Sequence, residues 1–231
     1  NRIDHETFRD CKNLQKIVRP PSILSIGEEA FTACGIALND NMWKNGALII
    51  DDCLIATNNE LPAKYVFKNK TPIRLIAERA FANKKNLKSV EIPNTITTIP
   101  TAAFMGCENL TDVVIPATVK TVGNFAFYNC VKLRNAKLPT ELERLGAGVF
   151  YGCENLTEQV LSEKLQSIEK AAFFMCRSIK KITFPARLKR IDDGAFAGCS
   201  SLEAINLPSS LQYLGEQAFA GCAALRRVSI P

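Results

Sequence analysis

Histidine is nearly absent: His5 is the only one in 231 residues. A Ser-His or Cys-His nucleophile pair, an H-E-x-x-H zinc helix or a multi-histidine metal site would have to use it. Most hydrolase and metalloenzyme chemistry therefore loses its main player. No run of 18 or more apolar residues occurs, and the first residues, from Asn1 to Glu6, are polar, so neither a membrane span nor a signal peptide is expected within this stretch. Glycine-rich phosphate loops are missing, and the nine cysteines include no C-x-x-C pair, the short spacing on which tetrahedral zinc relies. Carboxylate neighbours such as Asp51 with Asp52 and Asp192 with Asp193 are turn-like and point apart, so paired acid-base work is not expected of them. The 29 basic and 23 acidic residues give a formal charge of +6, below the density of a dedicated nucleic-acid binder. We expect no catalytic residue, no cofactor, no metal and no nucleic-acid partner.

What is present is a period. A phenylalanine preceded by a small residue recurs as Phe8, Phe31, Phe81, Phe104, Phe127, Phe150, Phe173, Phe196 and Phe219, and from Phe81 onward each lies 23 residues after the last. Three positions after the phenylalanines stand Cys11, Cys34, Cys107, Cys130, Cys153, Cys176, Cys199 and Cys222; after Phe81 the expected cysteine is Lys84. Leu110, Val113, Ile115, Pro116, Val119 and Val122 return one unit later as Leu133, Ala136, Leu138, Pro139, Leu142 and Leu145. The alternating part reads as a strand of about three to five residues that the proline ends. The stretch up to A-F-x-x-C reads as a short helical or 3-10 segment, closed where Gly106, Asn129, Gly152, Gly198 and Gly221 accept a left-handed cap. So few apolar positions per unit cannot close a core alone, but stacked coils bury them as one stripe.

The string Leu202, Ile205, Leu207, Pro208, Leu211, Leu214, Ala218, Phe219 and Cys222 resembles the BspA-like (Treponema pallidum type) leucine-rich repeat. Ser162 in place of the proline, Gln159 at an apolar strand position and Met175 in place of the glycine set one unit apart. The reading is an α/β chain folded as a right-handed leucine-rich-repeat solenoid of about nine coils. It has short parallel strands on a concave face and helical or 3-10 segments on the other. Residues 1–231 form one domain of 23-residue units.

From Phe31 to Phe81 the interval is two periods plus four residues, so one unit has lost its anchor and gained an insertion. Within residues 40–60, Leu48 to Ile50 and Cys53 to Ile55 read as a hairpin turned at Asp51 and Asp52. It is either a recognition element or a structural cover for the early coils. The cysteines read as free buried thiols that mainly fill space, because parallel side chains in adjacent coils suit a disulfide poorly.

Three surfaces are candidates for a ligand. The outward strand row includes Asn135, Lys137, Glu158, Lys181 and Arg227, mixed in sign and without aromatics. A second row follows the anchors as Met105, Tyr128, Tyr151 and Phe174, either an exposed patch or rings folded over neighbouring coils. Arg177, Lys180, Lys181, Arg187, Lys189 and Arg190 form a basic run, either a site for acidic partners or a solvated face balanced by Glu154, Glu158 and Glu163. The resemblance implies a non-catalytic module that binds protein or glycan as a secreted or surface adhesin-type protein of a microbe. An intracellular scaffold or regulatory module is the competing reading. Because the chain stops on a strand, at Ser229 to Pro231, without a polar cap, either a longer protein or end-to-end self-association is expected.

Overall fold

The protein, described here from a computed structural model, is defined over residues 1–18, 22–67, 72–157 and 159–230. The chain winds as a parallel-strand solenoid of about ten turns. Successive coils contribute two strands each. The first series runs through Lys64–Val66, Ser89–Glu91, Asp112–Val114 and Asn135–Ala136, paired in parallel, and continues through Gln159–Val160, Ile182–Thr183, Ala204–Asn206 and Arg227–Ser229. The second runs through Thr98–Ile99, Thr121–Val122 and Arg144–Leu145, then Ser167–Ile168, Arg190–Ile191 and Tyr213–Leu214. In both, each residue pairs with the one a single repeat away, as Asp112 does with Ser89 and Asn135. The V-x-x-V part of the unit is thus the site of a second strand.

The third side of each coil is not helical, which corrects the expected helical or 3-10 segments. The Phe-containing stretch is a run of turns, and the one α-helix, Gly35–Leu38, and the one 3-10 helix, Asp40–Met42, of the described residues lie at the insertion. The turns hold because their amides bond to the next coil instead of within the segment. Ala102, Phe104 and Gly106 donate N–H to the carbonyls of Asn124, Ala126 and Tyr128 at 2.8, 2.8 and 2.7 Å, and the same three rungs recur from coil to coil. Aiming alternate amides at the next coil puts two residues per coil in the left-handed region. Ala102, Phe125 and Ala171 before the anchor, and Asn83, Asn129 and Met175 after it, have φ between 52° and 61°. Each costs a non-glycine residue roughly 1–2 kcal/mol, which the inter-coil bonds offset. Met175 illustrates the trade: its side chain bears on Gly198, where a Cβ would meet its Sδ at 2.6 Å.

Phenylalanines form the spine of the core. From Phe81 to Phe219 every neighbouring pair of rings is stacked, with centroids 4.8 to 5.5 Å apart, the offset geometry that aromatic pairs favour. The cysteines do more than fill space. Each thiol from Cys107 to Cys222 donates to the carbonyl of the anchor Phe one coil back, as Cys130 does to Phe104 at 3.1 Å and Cys153 to Phe127 at 3.0 Å. The same Phe104 carbonyl accepts Cys107 N–H at 3.1 Å, so its two lone pairs are satisfied from two coils. Burial pushes the Cys107 thiol up to about 12 and those of Cys130, Cys153, Cys176 and Cys199 up as well.

The insertion is a hairpin, Ala47–Ile50 against Cys53–Thr57, with Trp43–Lys44 along its edge. Cys53–Thr57 then pairs in parallel with Leu75–Ile76, occupying the second-strand position of the irregular coil. Leu48 and Leu54 are fully buried, so the hairpin is part of the core and not a mobile flag. Beyond Thr57 the chain takes seven steps to Lys64, against ten for the equivalent stretch from Ala102 to Asp112. The coil cuts its corner and its third side is missing.

Three measurements follow from this packing. Phe127 is 0% exposed, and Phe127→Ala lowers stability by about 3–5 kcal/mol in chemical denaturation; a loss below about 1 kcal/mol contradicts the stacked spine. Gln159 is 5% exposed and its amide has no hydrogen-bond partner among the described residues, so Gln159→Leu raises stability by about 1–2 kcal/mol. The raised thiols stay protonated in the folded chain while unfolded cysteines ionise near their ordinary value, so stability is full below about pH 8.5 and declines as pH rises above it. A denaturation midpoint that is flat between pH 8 and 11 would falsify the buried thiol ladder.

Candidate functional site

Alternation along the first-series strands sends Val113 and its equivalents inward and their neighbours outward, which leaves one side of that sheet uncovered. On it Asn135 Nδ2 donates to Asp112 Oδ1 at 2.8 Å, and this bond, with Thr111, holds the Asp112 carboxyl below its ordinary value. Lys64 lies 3.7 Å from Glu91 one coil on. Lys137, Lys181 and Arg227 are exposed on the same face, and Glu158 lies outside the described residues. Among these polar groups stand Val18, Val114 and Val160, 78%, 58% and 73% exposed. Val114 and Val160 sit at outward strand positions, in a row whose polarity the sequence shows and whose bareness it does not, whereas Val18 lies outside the strands.

The basic run does not form one patch. Lys180 and Lys181 lie at the first sheet, Lys181 bridging to Ala204, whereas Lys189 and Arg190 lie at the second and Arg187 in the turn between. Arg177 pairs with Glu154 at 3.6 Å, and Arg190 pairs with Asp192 while its guanidinium sits 3.9 Å over the Tyr213 ring. Glu163 is engaged by the Ala186 amide at 3.1 Å. The charges wrap a corner of the solenoid, and the first-sheet pair is the part that faces outward beside the valines.

Rings of the second row stack on one another: Tyr128 on Tyr151 at 4.8 Å and Tyr151 on Phe174 at 4.5 Å. Phe125 closes the row edge-on to Tyr128 at 6.0 Å and covers the place where a Cβ of Gly148 would be. Since the ring faces are spent on each other, the half-buried row offers edges to solvent, a poor platform for stacking a sugar. Met105 receives the Arg79 guanidinium at 3.3 Å.

Elsewhere, a cavity of about 430 Å³ lies where the third side of the irregular coil is missing, between the coils of Phe31 and Phe81. Trp43, Leu48, Ile55 and Ala56 form its floor, and Lys84 and the Glu28–Arg79 ion pair, at 2.7 Å, stand on its walls. The sequence signals it twice, by the 50-residue interval and by Lys84 in place of a cysteine, although neither signal points to a cavity. No group of three or more His, Cys, Asp or Glu able to hold a metal exists among the described residues.

The sequence profile of the BspA type leucine rich repeat region matches in 6 copies over residues 1–71, 74–203 and 167–231. The chain belongs to this family. A Treponema pallidum leucine-rich-repeat protein is similar at 26% identity and a TM-score of 0.71, over 81% of this chain and 90% of that one. The pneumococcal vaccine antigen PcpA shares the fold at 20% identity and a TM-score of 0.54, over 93% of this chain and 54% of that one. A leucine-rich-repeat protein of Eubacterium ventriosum does so at 17% identity and 0.50, over the whole of this chain and 81% of the other. No curated protein matches. A BspA-type solenoid with an uncovered sheet is a protein-interaction module.

Proposed function

We propose that the chain is a non-catalytic binding module of a microbial surface or secreted protein, adhesin-like, that takes a host or matrix protein or a glycan on the uncovered face of its first sheet. The observation that carries this reading is the bare valines Val114 and Val160, set among Asn135, Lys137, Lys181 and Arg227 on the outward side of the first-series strands. Exposed apolar side chains rimmed by polar ones mark interaction surfaces, and a rigid sheet loses little entropy on binding. Lys180 and Lys181 add positive charge at the same side, so anionic ligands associate faster at low salt. Family membership supports the location outside the cell.

The purified chain is applied to an array of matrix proteins and sulfated glycans at low and high salt. Val114→Asp with Val160→Asp weakens binding at least about tenfold, and Lys180→Glu with Lys181→Glu removes the salt-sensitive part. All four positions are solvent-facing, so the thermal midpoint stays near that of the parent. Unchanged binding by the valine pair sinks the sheet as the ligand surface. Antibody labelling of intact cells tests the location separately.

A further inference from the structure

The missing third side of the irregular coil leaves main-chain groups unpaired on both sides of the 430 Å³ cavity. At other boundaries, the amides two before, at and two after the anchor donate to the next coil, as those of Glu6, Phe8 and Asp10 do to Glu28, Ala30 and Thr32 at 3.1, 2.8 and 3.0 Å. In the following coil the equivalent amides belong to Glu29, Phe31 and Ala33, and none has a hydrogen-bond partner among the described residues. Across the cavity the equivalent acceptors are the carbonyls of Glu78, Ala80 and Ala82. Thr57 Oγ1 donates to Ala80 at 2.7 Å, and the other two receive no bond among the described residues. One wall presents donors and the other acceptors, in the order that a coil would present and satisfy.

Lys84 completes the site. In the later coils this position is a cysteine that donates to the anchor carbonyl one coil back. Here the preceding coil has no such carbonyl, and the residue is a lysine lining the cavity, with no ion pair among the described residues. Burial lowers its pKa, so the ammonium sits partly out of water without a counter-charge. It is a donor placed where an incoming carbonyl belongs.

We infer that this cavity binds a short polypeptide segment of a partner protein as the absent rung, through main-chain hydrogen bonds to Glu29, Phe31, Ala33 and Ala82. A large apolar side chain of the segment lies on the floor of Trp43, Leu48, Ile55 and Ala56, and Lys84 takes a carbonyl of the segment. A peptide is the matching chemistry because only a polypeptide alternates N–H and C=O at this spacing, the basis of strand-addition recognition. The acidic groups of the rim are already paired, Glu28 with Arg79 at 2.7 Å, Glu29 with Arg9 at 2.6 Å and Glu78 with Arg2 at 3.2 Å. Affinity therefore comes from main chain and apolar contact and varies little with salt, unlike binding at the first sheet.

The test uses a synthetic peptide of residues 101–109 with Cys107→Ser, the turn that fills this position in a regular coil. Trp43 is the only tryptophan of the chain and lines the cavity, so its fluorescence reads occupancy, and amide exchange reads the bonds. Saturable binding is expected, with slowed exchange at Phe31 and Ala33 and the same affinity at low and high salt. Ser in place of the peptide phenylalanine weakens it about tenfold or more, as do Lys84→Ala and Ala82→Tyr in the protein. The equivalent position holds Tyr128 and Tyr151 in other coils, so Ala82→Tyr folds, which an unchanged thermal midpoint verifies. Absence of saturable binding at millimolar peptide, equal binding of a scrambled peptide, or binding without protection of Phe31 and Ala33 overturns the assignment.

Discussion

Main-chain pairing between coils is the constraint from which the rest follows. A backbone that turns through a full coil in 23 residues cannot satisfy its own N–H and C=O groups within the coil, and buried groups left unpaired are costly. Pairing to the next coil solves this on two strand faces and again on the turn face, where Phe104 N–H meets Ala126 O at 2.8 Å. Once the offset is fixed, equivalent side chains must stack. Aromatic rings tolerate being repeated at the resulting spacing, which is why Phe104 and Phe127 lie 5.3 Å apart and nearly parallel. Cysteine suits the position beside them because a small thiol reaches the preceding carbonyl and resists ionisation when buried.

The same constraint explains which irregularities the chain tolerates. Ser162 replaces the strand-ending proline, yet its hydroxyl donates to Thr140 O at 2.6 Å and accepts from Lys164 N–H at 3.2 Å, so main-chain pairing is kept. Met175 accepts a left-handed backbone for the same rung that a glycine makes elsewhere. Gln159 is a side-chain defect and leaves its strand paired to Ile182–Thr183. Each change is a local cost in a coil whose main-chain bonds to its neighbours remain.

The coil architecture was legible from sequence because stacking forces periodicity, and periodicity can be read without coordinates. Phe127 and Cys130 announce their burial by recurring. The turns were not legible, because spacing before A-F-x-x-C suits a capped helix as well as a run of turns; what decides is whether amides such as those of Phe104 and Gly106 bond within the segment or to the next coil. The glycine positions did mark one left-handed residue per coil, but the second falls on Ala102, Phe125 and Ala171, residue types that give no such sign. The ligand surface was legible only as a row of positions. Val114 and Val160 look like ordinary strand residues until the sheet is seen to carry nothing over them.

A periodic scaffold places its functional information in what does not repeat, and two kinds of departure need separating. Outward residues such as Lys137 or Val160 vary freely because no neighbour depends on them, so a binding face can be written there without any trace in the period. A departure that leaves main chain unpaired is different, because it acts against the one constraint all coils share. The amides of Glu29, Phe31 and Ala33 are such a case, and Lys84 shows the following coil already adapted to it, with an ammonium where a thiol would have no carbonyl to meet. An insertion that only lengthened the chain would have restored these bonds through its own backbone. This one buries Leu48 and Leu54, takes the second-strand position, and leaves the third side open. The opening is therefore built by the same packing that stabilises the early coils and persists with them.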